Sequence, residues 1–434
     1  MIPKLSWTMA LLFLLTGAVA RADQYDFSIP EAESKPYHLG GRLELRYLHH
    51  YLDSDAARYK LNYYDSDPGS YTQEWRALTE LRGDYRYGNL QANLLSHHEY
   101  AWIDGKKDWI HDLYEGNLAF TPSPSLTLEA GKKSILWGKG YAWNPAGFIN
   151  RPKDPDDPEQ NLEGRTILGA DIIKSVAAWS FNNVGLTAYV LPVINDWANP
   201  ELGQDGDTSY ALKLYLLWRD TDFDFIYFDG PGQPRSFGFD FAKNLAENIE
   251  IHGELAFRKD AGRTVIDEAG TATMLEEGQL SYLLGLRYLN AVETTFIAEY
   301  YHNGAGYSRS ELDDFFFYQE SAYNQWLATG NTASMDRANQ LTRPYYSQRN
   351  FGRNYFYLKI VQKEPFTILY FNPWLAAIVN LQDFSFNLQP GITWAPVTDF
   401  ELGLRISIPI GSANTEFGEK QDAFRPELRV IFFF

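Results

Sequence analysis

Apolar and charged residues alternate with a period of two in many segments of the chain. In residues 41–47, one face of the predicted strand carries Leu43, Leu45 and Tyr47, and the other carries charges. The alternation recurs in residues 71–87, 210–219, 249–258 and 400–408. Charged faces on so many strands cannot fill the core of a packed sandwich, although a half-buried soluble sheet would explain any one of them. The pattern predicts an all-β fold in which one face of the sheet meets water.

The last eleven residues also alternate, and the chain ends on an aromatic residue. One face of this segment consists of Leu428, Val430, Phe432 and Phe434. An ordinary edge strand is one explanation, but a frayed soluble terminus gains little from three phenylalanines. A closed barrel in lipid must pair its last strand with its first and places aromatic residues at the membrane interface. The terminus therefore favours a transmembrane antiparallel up-and-down β-barrel.

The N-terminus has the pattern of an export signal. Residues 9–20 form an apolar run with one lysine before it, and small residues follow at positions suited to cleavage. The run is too short to span a hydrocarbon core of about 30 Å. We predict a signal peptide at residues 1–22, a short periplasmic segment at residues 23–36 and the barrel at residues 37–434.

Composition excludes several classes of protein. A net charge of −18 argues against nucleic-acid binding, because the phosphates need clustered Lys and Arg. The absence of cysteine excludes disulfides, thiolate metal sites, covalent haem attachment and cysteine nucleophiles. The mean hydropathy of −0.36 excludes an all-helical membrane protein but not a barrel, in which only every second residue faces lipid.

Counting the alternating segments predicts about eighteen strands. Short turns, such as residues 87–89 and 219–222, alternate with longer connections, such as residues 138–164 and 259–278, as periplasmic turns and extracellular loops do in a barrel. The count depends on threading one strand through residues 368–379, and without that strand it falls to sixteen. Within the connection 304–353, residues 310–326 could form a short helix or a plug.

The first two predicted strands carry a dense ladder of charge on their inward face. The ladder residues that we single out are Arg42, Glu44, Arg46, Arg76, Glu80, Arg82 and Arg86. One interpretation is a charged pore wall that selects solutes. The other is an ion-pair network that braces the barrel wall, and both can hold together.

Residues 129–145 suggest a second site. We predict a strand that carries Lys133 and ends at Trp137, followed by a loop at residues 138–164 with Tyr141, Trp143 and Arg151. Aromatic faces beside charges suit sugars or aromatic acids. The alternative is a loop that covers the barrel mouth for stability only.

The acidic run in this loop offers oxygen ligands that suit Ca²⁺, namely Asp154, Asp156, Asp157 and Glu159. Its spacing departs from the usual calcium loop and lacks the central glycine of that loop. We therefore predict no metal site, and we also predict no cofactor.

Two segments resemble a known class of proteins. The C-terminal strand resembles that of bacterial outer-membrane β-barrels, in which the barrel-assembly machinery reads a terminal Phe. Residues 129–145 resemble a segment of porin-like families. General porins fold the loop after the fifth strand into the lumen, so the resemblance implies a constriction formed by residues 138–164.

The resemblance to porin-like and polysaccharide-export barrels implies a non-enzymatic channel in the outer membrane of a Gram-negative bacterium. It would allow diffusion or export of polar solutes such as sugars, oligosaccharides or organic anions. The expected partners are outer-membrane lipid, lipopolysaccharide, the assembly machinery and the solute. One alternative is a sheath or scaffold for a periplasmic partner or an electron-carrying cytochrome. A barrel hydrolase is the least favoured.

Overall fold

The structure, a computed structural model, describes residues 35–176, 181–346 and 348–434. The predicted signal peptide and residues 23–34 of the predicted periplasmic segment lie outside these ranges. From Tyr37 onwards the chain forms strands. No helix in the described ranges is long and apolar enough to cross a membrane.

The described ranges contain eighteen strands, which follow one another along the chain. They are β1 Tyr37–Leu52, β2 Tyr71–Tyr87, β3 Leu90–Ile103, β4 Lys106–Ser123, β5 Leu126–Lys133, β6 Arg165–Ser175, β7 Phe181–Pro192, β8 Thr208–Trp218, β9 Thr221–Gly230, β10 Gln233–Ala246, β11 Ile249–Ile266, β12 Ala272–Leu289, β13 Thr294–His302, β14 Asn354–Gln362, β15 Phe371–Asn380, β16 Phe386–Val397, β17 Phe400–Ile410 and β18 Asp422–Phe433. The helices are α1 Ala57–Tyr63, α2 Arg309–Thr329 and α3 Ala333–Tyr346, with 3₁₀ turns at Pro200–Leu202 and Pro365–Thr367.

Each strand pairs antiparallel with the next, and the last strand pairs with the first. At this junction Leu45 lies opposite Val430, and the Gly41 amide donates to the Phe434 carbonyl at 2.9 Å. Closure removes the unpaired sheet edges, which could not exist in lipid. The prediction of a closed antiparallel barrel with eighteen strands is confirmed, and the sixteen-strand threading is wrong.

The two faces of the sheet differ as the alternation predicts. On β1, Leu43 and Leu45 are 46% and 59% exposed on the outside, while Glu44 between them is 2% exposed on the inside. Apolar side chains outside and charged side chains inside are the pattern of a membrane barrel with a polar lumen.

Several predicted strand ends are wrong. Residues 259–278 were predicted as a loop, but most of them extend β11 and β12 into a long hairpin. Charged side chains pair across these strands, as Arg263 does with Glu277 at 2.5 Å. Such pairs allow the strands to continue into water beyond the membrane. Strict alternation of short and long connections fails at Asp104 and Gly105, which form a two-residue turn between β3 and β4. The strand predicted through residues 368–379 begins later, at Phe371, as β15. The turn before it contains Phe366 with a positive φ of 61°, which a strand does not adopt.

Helices α1, α2 and α3 pack together at the end of the barrel that carries the long connections. Their shared apolar core includes Leu61, Phe315, Phe316, Met335 and Tyr345, and also contains Ile266 from the tip of the β11–β12 hairpin. The connection that holds α1 and this hairpin lie nearly opposite each other in the ring of strands. The three helices therefore form a cap across the mouth, and the predicted helix at residues 310–326 lies within α2.

Candidate functional site

Residues 134–164, which connect β5 to β6, form the inner loop. β5 ends at Lys133, so the prediction that it continues to Trp137 is wrong. Trp137 is instead a buried loop residue whose ring stacks on Tyr189 of β7 with centroids 5.8 Å apart. Phe148 and Ile149 belong to the same apolar cluster, together with inward residues of β6, β7, β8, β9 and β11. This packing holds the first half of the inner loop against the inner face of the barrel.

Two buried glutamates on the wall bind the backbone of the inner loop. Glu254 of β11 accepts hydrogen bonds from the amides of Lys139 and Gly140 at 2.7 Å, and also from the Ala146 amide and the Asn144 side chain. Such carboxylates replace the water that several backbone donors would otherwise lose on burial.

Glu299 of β13 binds the next two backbone amides of the inner loop in the same way. Its carboxylate accepts from the amides of Tyr141 at 2.5 Å and Ala142 at 2.9 Å, and contacts His252 at 2.9 Å. Neither Glu254 nor Glu299 is predicted as a site residue from the sequence. Each is one of many charged residues on the inward face of an alternating strand. Nothing in the neighbouring sequence distinguishes a glutamate that binds the inner loop from one that does not.

The basic side chain of Lys139 anchors the loop to another region of the wall. Its Nζ lies 3.0 Å from Asp224 of β9 and 3.7 Å from Asp240 of β10. Burial opposes its charge, but these two carboxylates outweigh burial and raise the pKa of Lys139. Lys139 therefore stays charged and ties the loop to β9 and β10.

The acidic run of the inner loop contacts the remaining side of the barrel. Asp156 accepts from Gln389 of β16 at 2.7 Å, Asp157 pairs with Arg429 of β18, and Glu159 lies 2.9 Å from Lys359 of β14. The side-chain amide of Asn161 donates a hydrogen bond to Glu80 of β2 at 2.8 Å. These acids serve as tethers, and in the described ranges no group of three or more side chains is arranged to hold a metal ion. Because its contacts lie all around the wall, the inner loop crosses the lumen.

The predicted charge ladder lies on the inner face and is largely paired. Arg42 binds Glu80 at 2.8 Å, Arg46 binds Glu44 at 2.5 Å, and Arg76 binds Glu99 at 2.5 Å. The arginines thus neutralise neighbouring carboxylates, which is the bracing interpretation, while they still line the lumen.

Two ladder residues stand apart from this network. Arg82 and Arg86 lie near the short-turn end of β2 and are exposed. Arg86 contacts Gln91 at 3.2 Å. They belong to the opening at this end of the barrel and not to the zone around the inner loop.

The other predicted residues of the second site also come to the lumen. Trp143 stacks on Tyr301 with centroids 5.0 Å apart, and its indole donates to Asn350 at 3.2 Å. Lys133 binds Glu129 at 2.5 Å. Arg151 binds Glu163 at 2.6 Å. Most of the aromatic surface of Trp143 is therefore already covered by the protein.

A basic cavity of about 420 Å³ lies beside the inner loop. Among the described residues its cationic lining residues are Arg151, Lys153, Arg165 and Arg258, and its acidic lining residue is Glu201, which binds Arg151 at 3.2 Å and also binds Arg165. Arg258 lies over the ring of Phe148 at 5.7 Å and makes no ion pair with any residue in the described ranges. Its guanidinium adds positive charge to the lining of this cavity.

We expect Glu254→Gln to release the backbone of the inner loop. A carboxamide has one acceptor oxygen, and its NH₂ group would face the amides that Glu254 now binds. Each buried donor left unpaired costs about 1–3 kcal/mol, so hydrogen exchange in residues 139–146 should accelerate by about fivefold or more. Hydrogen-exchange mass spectrometry of the purified barrel measures this.

The matched control is Glu250→Gln. Glu250 lies on the same strand and the same face, four residues away, and binds no atom of the inner loop in the described structure. Unchanged exchange in Glu254→Gln would show that the carboxylate does not hold the loop.

Comparison with known proteins gives the fold family of the barrel. No protein-family model and no curated protein sequence matches the chain. Among solved structures, Acinetobacter baumannii OccAB1 is similar with a TM-score of 0.54 at 8% identity, over 92% of this chain and 96% of that chain. A. baumannii OccAB3 has a TM-score of 0.51 at 10% identity, over 92% and 99%. These proteins are outer-membrane porins, so the chain has the fold of a porin-like outer-membrane β-barrel.

Proposed function

We propose that the protein is a diffusion channel for small polar solutes in the outer membrane of a Gram-negative bacterium. The proposal depends chiefly on the inner loop. This loop is held to many strands of the wall by hydrogen bonds and ion pairs, and it narrows a charged lumen. The barrel fold and its porin-like relatives support a channel. The apolar outer face would contact membrane lipid and lipopolysaccharide, and the aromatic C-terminal strand would serve the assembly machinery.

The same loop argues for diffusion over the other candidate functions. A polysaccharide exporter must pass an extended chain, and a sheath must admit a partner protein, but here the chain's own loop occupies the lumen. Its contacts with Glu254, Glu299 and Asp224 are buried and paired, so they oppose displacement of the loop by a partner. These contacts support a diffusion channel over a polysaccharide exporter or a sheath.

The basic cavity suggests that organic anions are the preferred solutes. Arg151 and Arg165 pair there with Glu163 and Glu201, but Lys153 and Arg258 make no ion pair among the described residues, although the whole chain is acidic. A local excess of charge sets the potential within about a Debye length, which is about 10 Å at 0.1 M salt. Anions should therefore be concentrated beside the inner loop.

Planar-bilayer recording of the purified protein tests the proposal. We expect stable single channels, and we expect Arg258→Gln to shift the reversal potential in a salt gradient towards cation preference. The shift should fade near 1 M salt, where the Debye length is about 3 Å. Arg219→Gln, which removes the same charge at a short turn outside the lumen, should leave the reversal potential unchanged. Absence of channel activity in correctly folded barrels would contradict the proposed function.

A further inference from the structure

Two cavities meet at one pair of side chains beneath the cap. The outer cavity, of about 590 Å³, is lined by residues of α1 and α3, among them Asn62, Asn339 and Arg343. The inner cavity, of about 260 Å³, is lined by Asp154 and Asp156 of the inner loop and by inward residues of β16, β17 and β18. Arg58 and Tyr346 line both cavities. The pair therefore stands between the cap surface and the inner loop.

Arg58 and Tyr346 are stacked on one another. The guanidinium carbon of Arg58 lies 4.4 Å from the centroid of the Tyr346 ring, a cation–π contact. Within the described ranges Arg58 makes no ion pair. The Tyr346 hydroxyl donates to Gln319 of α2 at 2.6 Å, which holds the ring in place. The main contact of the Arg58 guanidinium is thus the face of the Tyr346 ring. A charge-assisted hydrogen bond to an anion that passes through would be stronger than this contact.

The rest of the cap is tied together more firmly. Lys60 of α1 binds Glu320 of α2 at 2.7 Å, and Tyr64 binds Asp336 of α3 at 2.8 Å. Tyr345 of α3 donates to the carbonyl of Thr264 in the β11–β12 hairpin at 2.9 Å. With an aromatic core between the helices, the cap is unsuited to opening as a whole. At the outer cavity Asn339 of α3 also donates to the carbonyl of Leu61 of α1 at 2.8 Å, so a solute that passes between α1 and α3 must displace side chains.

We propose that solutes enter the channel between α1 and α3, and that Arg58 and Tyr346 form a gate between the outer and inner cavities. The inference rests on the proposed channel function and names the entrance and its specificity-determining residues. Among the described residues that line the outer cavity, Arg58 and Arg343 are cationic and none is acidic. The entrance therefore favours anions before they reach the inner cavity, where Asp154 pairs with Arg349 at 3.2 Å and Asp422 lies 3.9 Å from Arg425.

The absence of natural cysteine allows a direct test of the entrance. Gln340 is exposed on α3 and lines the outer cavity. Modifying Gln340→Cys with a bulky, negatively charged thiosulfonate should lower anion conductance by about twofold or more, because a narrowed entrance in series limits flow. The control is Asn324→Cys, on the exposed face of α2 and absent from the lining of either cavity. Its modification should leave conductance unchanged.

Substitution of Arg58 tests the gate itself. Arg58→Gln should lower the ratio of anion to cation permeability, while Arg58→Lys should keep most of that ratio because it keeps the charge. If the protein conducts but Gln340→Cys labelling and Arg58→Gln have no effect, the entrance lies elsewhere and the gate is refuted, while the channel function stands. If the folded wild-type barrel does not conduct at all, the proposed function fails first.

Discussion

Replacing residues 138–161 by a short glycine-serine linker is expected to raise the single-channel conductance several-fold. These residues carry the loop's contacts with Glu254, Glu299, Gln389, Arg429 and Glu80 on different sides of the wall, so their removal opens the lumen. The narrowest section of a pore controls its conductance and its selectivity. Planar-bilayer recordings at fixed salt and voltage measure the change.

The deletion needs a control for changes at the barrel mouth. Replacing the exposed residues 195–197, in the connection between β7 and β8, by glycine and serine should leave the conductance unchanged. Heat-dependent migration in gel electrophoresis should show that both variants form barrels. Equal conductance of the loop deletion and the wild type would mean that the inner loop is not the constriction, although the barrel could still be a channel.

The second large effect is expected on the outer face of the barrel. Leu214 lies near the middle of β8, is 37% exposed and is paired with Phe225, which is also exposed on the outside. Leu214→Arg should lower the free energy of unfolding by about 2–4 kcal/mol, since a midplane arginine must leave water for hydrocarbon. Equilibrium urea unfolding of the barrel in lipid vesicles measures the loss.

Leu214→Met is the matched control because it keeps an apolar side chain in contact with lipid, and its stability should stay close to that of the wild type. The neighbouring inward position, Lys213, already carries a charge and lies 5.5 Å from the Trp137 ring. If arginine at position 214 cost no stability, this face of β8 would not contact the membrane.

Much of the barrel could be predicted because each strand shows its two faces within its own short stretch of sequence. A strand turns every second residue to the same side, so residues such as Leu43, Glu44 and Leu45 reveal the lipid and lumen faces directly. The number of such segments predicted the eighteen strands, and the alternation at Val430 and Phe432 predicted the closing strand. Strand ends were less predictable, as Trp137 and residues 259–278 show, because a charged segment can pair in water as well as form a loop.

The candidate site was predicted only in part. The resemblance to general porins, whose loop after the fifth strand enters the lumen, implied a constriction, and the ladder residues Arg42 and Arg76 do lie on the inner face. Their pairing with Glu80 and Glu99 depends on which strands become neighbours, which a single strand's pattern does not contain.

The sequence by itself determined the class of fold, the two faces of the sheet and the number of strands, since these follow from a period of two along each segment. Only the tertiary structure decided that Glu254 and Glu299 hold the inner loop, that Arg258 makes no ion pair with any described residue and that Arg58 stacks on Tyr346. These contacts join residues far apart in the chain. Which residues meet depends on how the barrel closes and on the path of the inner loop through it. Neither of these produces a periodic pattern in the sequence.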